Sequence, residues 1–196
     1  PYSSSANPTR SSVQWWQTDT AISGSLIPTT QVGLIDDNTN TNFYAFPSIA
    51  VNTQNDALIG FSRFSSTTFP SAAYAMRVHT DATDSTRPVV VYRNGLANYY
   101  KTYSGTKNRW GDYSGTCLDP VNSLDFWTIQ EASSFSNLWD TRWAHVLAPC
   151  TTPGSITGTA TVCVGSTTTL ANSVSGGTWS SATTSVATVN STSGVV

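Results

Sequence analysis

The sequence predicts an all-β protein of repeated antiparallel four-stranded meanders, followed by a smaller β unit. Three observations carry this. First, charged residues are only 10% of the chain, whereas Ser and Thr make up 59 of its 196 residues and aromatics 11%. Thr and aromatic side chains suit a pleated, half-buried surface, and the usual helix formers Lys and Glu are scarce. Second, short alternating apolar runs are separated by turns rich in Asn, Asp, Gly and Pro. Third, the strand-and-turn pattern restarts partway along the chain.

In order, residues 1–12 are rich in Ser, Asn and Pro and read as an irregular lead-in. Val13–Gln17 and Gln31–Ile35 are short strands, with Gly24 and Pro28 punctuating the loop between them. Phe46–Asn52 alternates, with Ile49 and Val51 as its apolar set and Ser48, Ala50 and Asn52 opposite. Thr53–Asp56 is a turn, Ala57–Arg63 the returning strand, Ser71–Val78 a third and Arg87–Arg93 a fourth, closed by Asn94-Gly95. The pattern then begins again. Tyr113–Leu118 leads through Asp119-Pro120 to Asp125–Glu131, and Trp139–Val146 is the next strand. Setting Ser48 against Ser114 sets Arg77 against Arg142 and Asn52 against Asp119. The segments 13–17 and 31–35 then fit the third and fourth strands of a preceding copy.

Repeated meanders of about 40–65 residues are the units of β-propellers, where packing neighbouring sheets buries their faces and protects their edges. Two and a half such units make an incomplete ring. Residues 1–148 are therefore expected to belong to a longer polypeptide, or to have their open faces covered by another chain. A linker at 149–155 follows Val146 and carries Pro149, Cys150 and Pro153. Beyond it aromatics nearly vanish. Residues 156–196 are expected to form part of an immunoglobulin-like β-sandwich, with short strands at 155–158, 160–164, 167–170, 177–181 and 185–189 and Trp179 as the core aromatic.

The charge of −2 provides no electrostatic footprint for nucleic acid or an anionic membrane, and no apolar run is long enough to span a bilayer. Few lysines and many threonines point to an extracellular or cell-surface setting. Of the three cysteines, Cys117 reads as a small buried hydrophobe in a strand. Cys150 and Cys163 are candidates for a disulfide, the alternative being that Cys163 pairs with a cysteine outside this chain. No cofactor motif is present.

Two resemblances follow from these motifs. Arg109-Trp110-Gly111-Asp112-Tyr113-Ser114, then Asp119-Pro120, Phe126-Trp127, Glu131 and Trp139-x-Thr141-Arg142, resembles a motif of large secreted bacterial proteins with propeller-like repeats. Phe46–Val51 and Tyr74–Arg77 resemble the preceding repeat of those proteins. Ala132 departs from the aromatic often found after the Glu. The tail from Ile156 to Asn190 is similar to bacterial group 2 immunoglobulin-like domains, which act as spacers in adhesins, and its style resembles giant surface proteins of the Bacteroidota. That resemblance implies a glycoprotein, with Thr20 in Asp19-Thr20-Ala21 and Ser85 in Asp84-Ser85-Thr86 as O-glycosylation candidates. Asn190-Ser191-Thr192 is also an N-glycosylation sequon.

For catalysis, Glu131, the only Glu, and Asp112 are candidate carboxylates, with Arg77 and Arg142 as partners for an acidic sugar. The competing reading makes all four fasteners within and between repeats. His79 and His145 end third strands, which points to a positional role. Asp119, Asn122 and Asp125 are candidate calcium ligands or, alternatively, the polar residues of a tight hairpin. Trp15, Trp16, Tyr99, Tyr100 and Tyr103 are candidates for stacking on sugars. The leading expectation is a non-catalytic structural or adhesive surface protein, a segment of a filament or giant adhesin, with further segments or copies of itself and glycans as partners. The alternatives are a sialidase-like glycan hydrolase and a carbohydrate-binding module.

Overall fold

The structure, a computed structural model, describes residues 10–19, 29–149, 154–173 and 177–196. The chain divides into two compact units, Pro1–Ala148 and Pro149–Val196. The named elements of the described residues are all strands, and each pairing is antiparallel. No helix among them is long and apolar enough to cross a membrane.

In the first unit β1 (Val13–Thr18) pairs with β2 (Thr29–Ile35). A four-stranded meander follows in chain order, made of β3 (Asn42–Val51), β4 (Ala57–Ser65), β5 (Ser71–Arg77) and β6 (Val90–Arg93). A three-stranded meander comprises β7 (Gly115–Leu118), β8 (Phe126–Phe135) and β9 (Leu138–Val146).

The three sheets lie face to face with the four-stranded one in the middle. Ile59, Phe61, Ala73 and Ala75 pack on Val13, Trp15 and Ile35 of the first sheet. Leu58 and Met76, on the opposite face, pack on Phe126 and Val146 of the third. A strand covered on both sides buries consecutive positions, and Ala57 to Ser62 of β4 are all buried. Phe61 and Phe126 are fully enclosed, and each contributes about 2–3 kcal/mol by the apolar area it removes from water.

The second interface also has a polar part. Ser48 Oγ lies 2.7 Å from Thr116 Oγ1, which lies 3.0 Å from Thr128 Oγ1. Gln130 Nε2 donates to Ser48 Oγ at 3.0 Å and Thr128 Oγ1 at 3.2 Å. Gly60 sits against this cluster. A Cβ there would collide with Thr128 Oγ1 and Gln130 Nε2 and lie 2.9 Å from Thr116 Oγ1.

Further links tie the sheets together. Arg77 is buried and reaches the first sheet, its Nε donating to Gln31 Oε1 at 3.1 Å and its guanidinium lying 5.9 Å from the Trp15 ring centroid. Asp84, in the loop after β5, accepts the Val32 N–H of β2 at 2.7 Å. Tyr92 on β6 donates its hydroxyl to the Arg142 carbonyl at 3.1 Å.

The internal repeat is visible in the turns. Asn52 N–H donates to the Asp56 carbonyl at 2.9 Å, and Asp119 N–H to the Asp125 carbonyl at 2.8 Å. Asn55 and Ser123 donate back to Asn52 and Asp119, and both have positive φ, 63° and 56°. Asn52 and Asp119 are thus equivalent. The pairing of Arg77 with Arg142 is corrected. Ala57 faces Arg77 and its counterpart Phe126 faces Val146, so Arg142, opposite Gln130, stands four residues away from the position equivalent to Arg77. Ser48 faces Gly60 as Gly115 faces Ile129, so Ser48 matches Gly115 and not Ser114.

Three burial expectations are also corrected. Ile49 and Val51 are exposed, while Ser48 and Ala50 face the third sheet. The register shift between Ala45 and Ser48, with Phe46 at φ 57°, sets which face each residue takes. The two-stranded first sheet does not cover this end of β3. Cys117 is exposed, because its neighbours Thr116 and Leu118 take the inward positions of β7.

In the second unit the expected sandwich strands do not form among the described residues. Only two isolated bridges occur, Thr157 with Ala171 and Thr169 with Val195. Trp179 is half-buried rather than enclosed, and Val164 and Val186 are fully in solvent. Among the described residues of this unit no second apolar layer forms, and alternation without a covering face does not hold a strand in place.

Candidate functional site

The outward positions of β8 are Trp127, Ile129 and Glu131, since Phe126, Thr128 and Gln130 face the middle sheet. Glu131 is nonetheless only 2% exposed. The reason is the loop that returns from β6 to β7. Glu131 Oε2 accepts the Gly111 N–H at 2.9 Å and Oε1 accepts the Tyr113 N–H at 2.8 Å. A buried carboxylate is costly unless it is hydrogen-bonded, and two N–H donors on successive odd residues meet that need.

The same loop is anchored to the middle sheet by Trp110. Its Nε1 donates to Ser62 Oγ at 3.0 Å, and its ring stands edge-on to Tyr99 and Phe64 with centroids 5.0 and 5.9 Å away. Gly111 has φ 93°, and a Cβ there would occupy the Phe46 ring. Gly is therefore required on conformational and steric grounds. Tyr113 lies flat on Trp139 of β9, with centroids 4.8 Å apart and planes 19° from parallel. Arg109 and Asp112 pair at 3.0 Å on the exposed rim. Together with Tyr103 these residues line a cleft of about 260 Å³.

Of the four catalytic candidates, Glu131 and Asp112 line this cleft, whereas Arg77 and Arg142 do not. Arg77 binds Gln31 and Trp15, and Arg142 pairs with Asp140 at 2.6 Å. The carboxylates thus have structural partners, and the acidic-sugar arginines are not gathered around them.

Asp119, Asn122 and Asp125 do come together, in the β7–β8 turn. Their oxygens accept N–H groups: Asp119 Oδ1 from Val121 at 2.8 Å, Asp119 Oδ2 from Trp127 Nε1 at 2.8 Å, Asn122 Oδ1 from Leu124 at 2.9 Å, and Asp125 Oδ1 from Ala148 at 2.8 Å. Asn122 Nδ2 donates to Asp125 Oδ2 at 2.7 Å. This is the polar hairpin arrangement. His145 stacks on Trp127, with centroids 4.4 Å apart, and its Nε2 lies 3.6 Å from Asp125. His79 Nδ1 meets the fully buried Asp56 at 2.8 Å. Both histidines therefore meet the carboxylate that precedes the second strand of their repeat, although His79 follows β5 while His145 lies within β9.

Ser85 is half-buried and donates its hydroxyl to the Ala82 carbonyl at 2.6 Å. Asn190 Oδ1 accepts the N–H groups of Thr192 and Ser193. Thr20 and Cys150 lie outside the described residues, and with Cys150 the expected Cys150–Cys163 pairing; Cys163 is exposed. Trp15 is buried under Arg77, whereas Trp16, Tyr100 and Tyr103 are exposed. Tyr99 is enclosed beside Trp110.

Several carboxylates are held in the charged form. The Trp127 Nε1–H bond is the main cause that keeps Asp119 below the ordinary carboxylate value of 3.8. The Thr39 hydroxyl, followed by the Asn42 N–H, does the same for Asp37. At Asp36 burial opposes ionisation, but hydrogen bonds from Ser12 and Arg10 outweigh it. Lowered folded values mean that the unfolded chain takes up protons first as pH falls. The stability from these groups is complete above the unfolded value and is lost as pH drops through the lower folded values. Thermal melts followed by circular dichroism should show a midpoint that is level above about pH 5 and falls steadily below about pH 4.

Comparisons with protein-family models, curated proteins and solved structures return no match to this chain.

Proposed function

We propose that the chain is a segment of an extracellular structural or adhesive protein whose propeller-type sheets stack on further sheets of the same design. One observation carries this reading. The inner strands β4 and β5 of the middle sheet are covered on both faces, whereas each outer sheet leaves large apolar side chains of its outer face in solvent. Trp16 and Leu34 are 58% and 56% exposed on the first sheet. Trp143 is 67% exposed on the third, beside Trp127 and Cys117. Aromatic surface left in water on a regular β-face marks an interface. The partner of each face is another such sheet, from a longer chain or a second copy. The catalytic alternative has less support, because its carboxylates serve as loop fasteners and its arginines lie elsewhere.

The two open faces differ in sequence, so copies would join head to tail. Light scattering across the micromolar range should show self-association of the intact chain. Trp16→Lys and Trp143→Lys should each suppress it. A mixture of the two variants should give dimers, since each retains one sound face. Monomers at every concentration, or variants that associate like the parent, would remove the stacking reading.

A further inference from the structure

We infer that the cleft between the 99–113 loop and β8–β9 binds a single neutral pyranose unit, as a free sugar or a glycan terminus. The cleft has three features that such a ligand needs. Its volume of about 260 Å³ admits one sugar ring with little to spare. Its mouth carries an aromatic platform: Tyr113 is backed by Trp139 at 4.8 Å and remains 56% exposed. A pyranose presents a C–H face to such a ring, while its hydroxyls point outward to polar groups. Those groups stand beside it. Arg109 and Asp112 share one contact at 3.0 Å, so several guanidinium donors and a carboxylate oxygen remain to bind neighbouring hydroxyls.

The charge balance selects the sugar class. Arg109 supplies the one cation of the lining, while Asp112 and Glu131 supply two carboxylates. A phosphate, sulfate or carboxylate on the ligand would meet a net negative cleft, so a neutral sugar is favoured. The site is also preformed. Glu131 and Trp110 fix the loop from two sheets, and Tyr103, Ser104 and Gly111 hold positive φ. A binding surface already in place loses little freedom when a ligand arrives. Glu131 acts here as a positioning residue, because both its oxygens are engaged by backbone N–H groups.

The test uses the intact chain. The methyl glycosides of glucose, galactose, mannose and N-acetylglucosamine are titrated in, with N-acetylneuraminic acid as the charged comparison. Saturation-transfer NMR and tryptophan fluorescence report binding. At least one neutral glycoside should bind in the millimolar range, and N-acetylneuraminic acid should not. Tyr113→Ala should weaken binding about tenfold or more, and Arg109→Ala should weaken it several-fold. Tyr113→Phe, which keeps the ring, should bind as the parent does. So should Tyr100→Ala, which removes an exposed aromatic outside the cleft, and Trp143→Lys, which separates this site from the stacking faces. Circular dichroism confirms that each variant is folded. Absence of binding by all four neutral glycosides, preference for the acidic sugar, or affinity unchanged in both Tyr113→Ala and Arg109→Ala would overturn the assignment.

Discussion

Glu131→Ala is expected to destabilise the chain by about 2–4 kcal/mol, the cost of removing a buried acceptor from two charge-assisted hydrogen bonds. The N–H groups of Gly111 and Tyr113 lose their partner together. The 109–113 end of the loop then keeps the Trp110–Ser62 bond, while the Tyr100 N–H remains held by Asn137 at the other end. Tyr113 should leave Trp139, and the 101–112 segment should become the first site of proteolytic cleavage. Glu131→Gln keeps the shape but brings one acceptor oxygen to two donors, so it should cost about half as much. Urea unfolding monitored by tryptophan fluorescence gives the free energies, and limited proteolysis reads the loop. Loss of stability without faster cleavage near 101–112 would show that Glu131 serves the sheet and not the loop.

Gly60→Val should cost about 3 kcal/mol or more, and Gly60→Ala about 2 kcal/mol, from overpacking at a close approach between two sheets. The added carbon meets Thr128 and Gln130, so the sheets must separate or the hydroxyl cluster must break. Thr128→Ala removes the nearest obstruction. The cost of Gly60→Ala should therefore fall by about 1 kcal/mol in that background, the coupling typical of residues in contact. Additive costs in a double-mutant cycle would mean that the two sheets do not meet at this point.

The strands were readable because period-2 alternation and turn residues act locally. Ala57–Arg63 and Trp139–Val146 emerged close to their final bounds for that reason. What alternation does not encode is which face is covered. Ile49 and Val51 looked like the inward set, yet the bulge at Phe46-Pro47 and the narrow first sheet leave them in solvent. Ser48 stood opposite the apolar set of its strand, yet it, Thr116 and Thr128 satisfy one another between sheets. Such a hydroxyl layer depends on distant partners and has no local signature. The repeat was visible but misaligned: the match of Ser48 with Ser114 slips by one residue before the turn, and the turn, from Asp119 to Asp125 against Asn52 to Asp56, is two residues longer in the second copy and supplies half of the four-residue offset at Arg77. The cleft residues Trp110, Asp112, Tyr113, Glu131 and Trp139 all stood in one motif. Their arrangement was hidden because Glu131 binds main-chain N–H groups, which no side-chain pattern displays.

Asp84, which occupies the Val32 N–H, has a consequence for the direction of growth. A carboxylate that already takes one N–H of this edge disfavours the pairing of a further strand against β2. In the stacking proposed above, addition proceeds through the faces. In such a fibre the inter-sheet spacing of about 10 Å would run along the axis and the strand spacing of about 4.7 Å across it, the reverse of amyloid. X-ray diffraction from oriented material would tell the two apart by the orientation of two reflections.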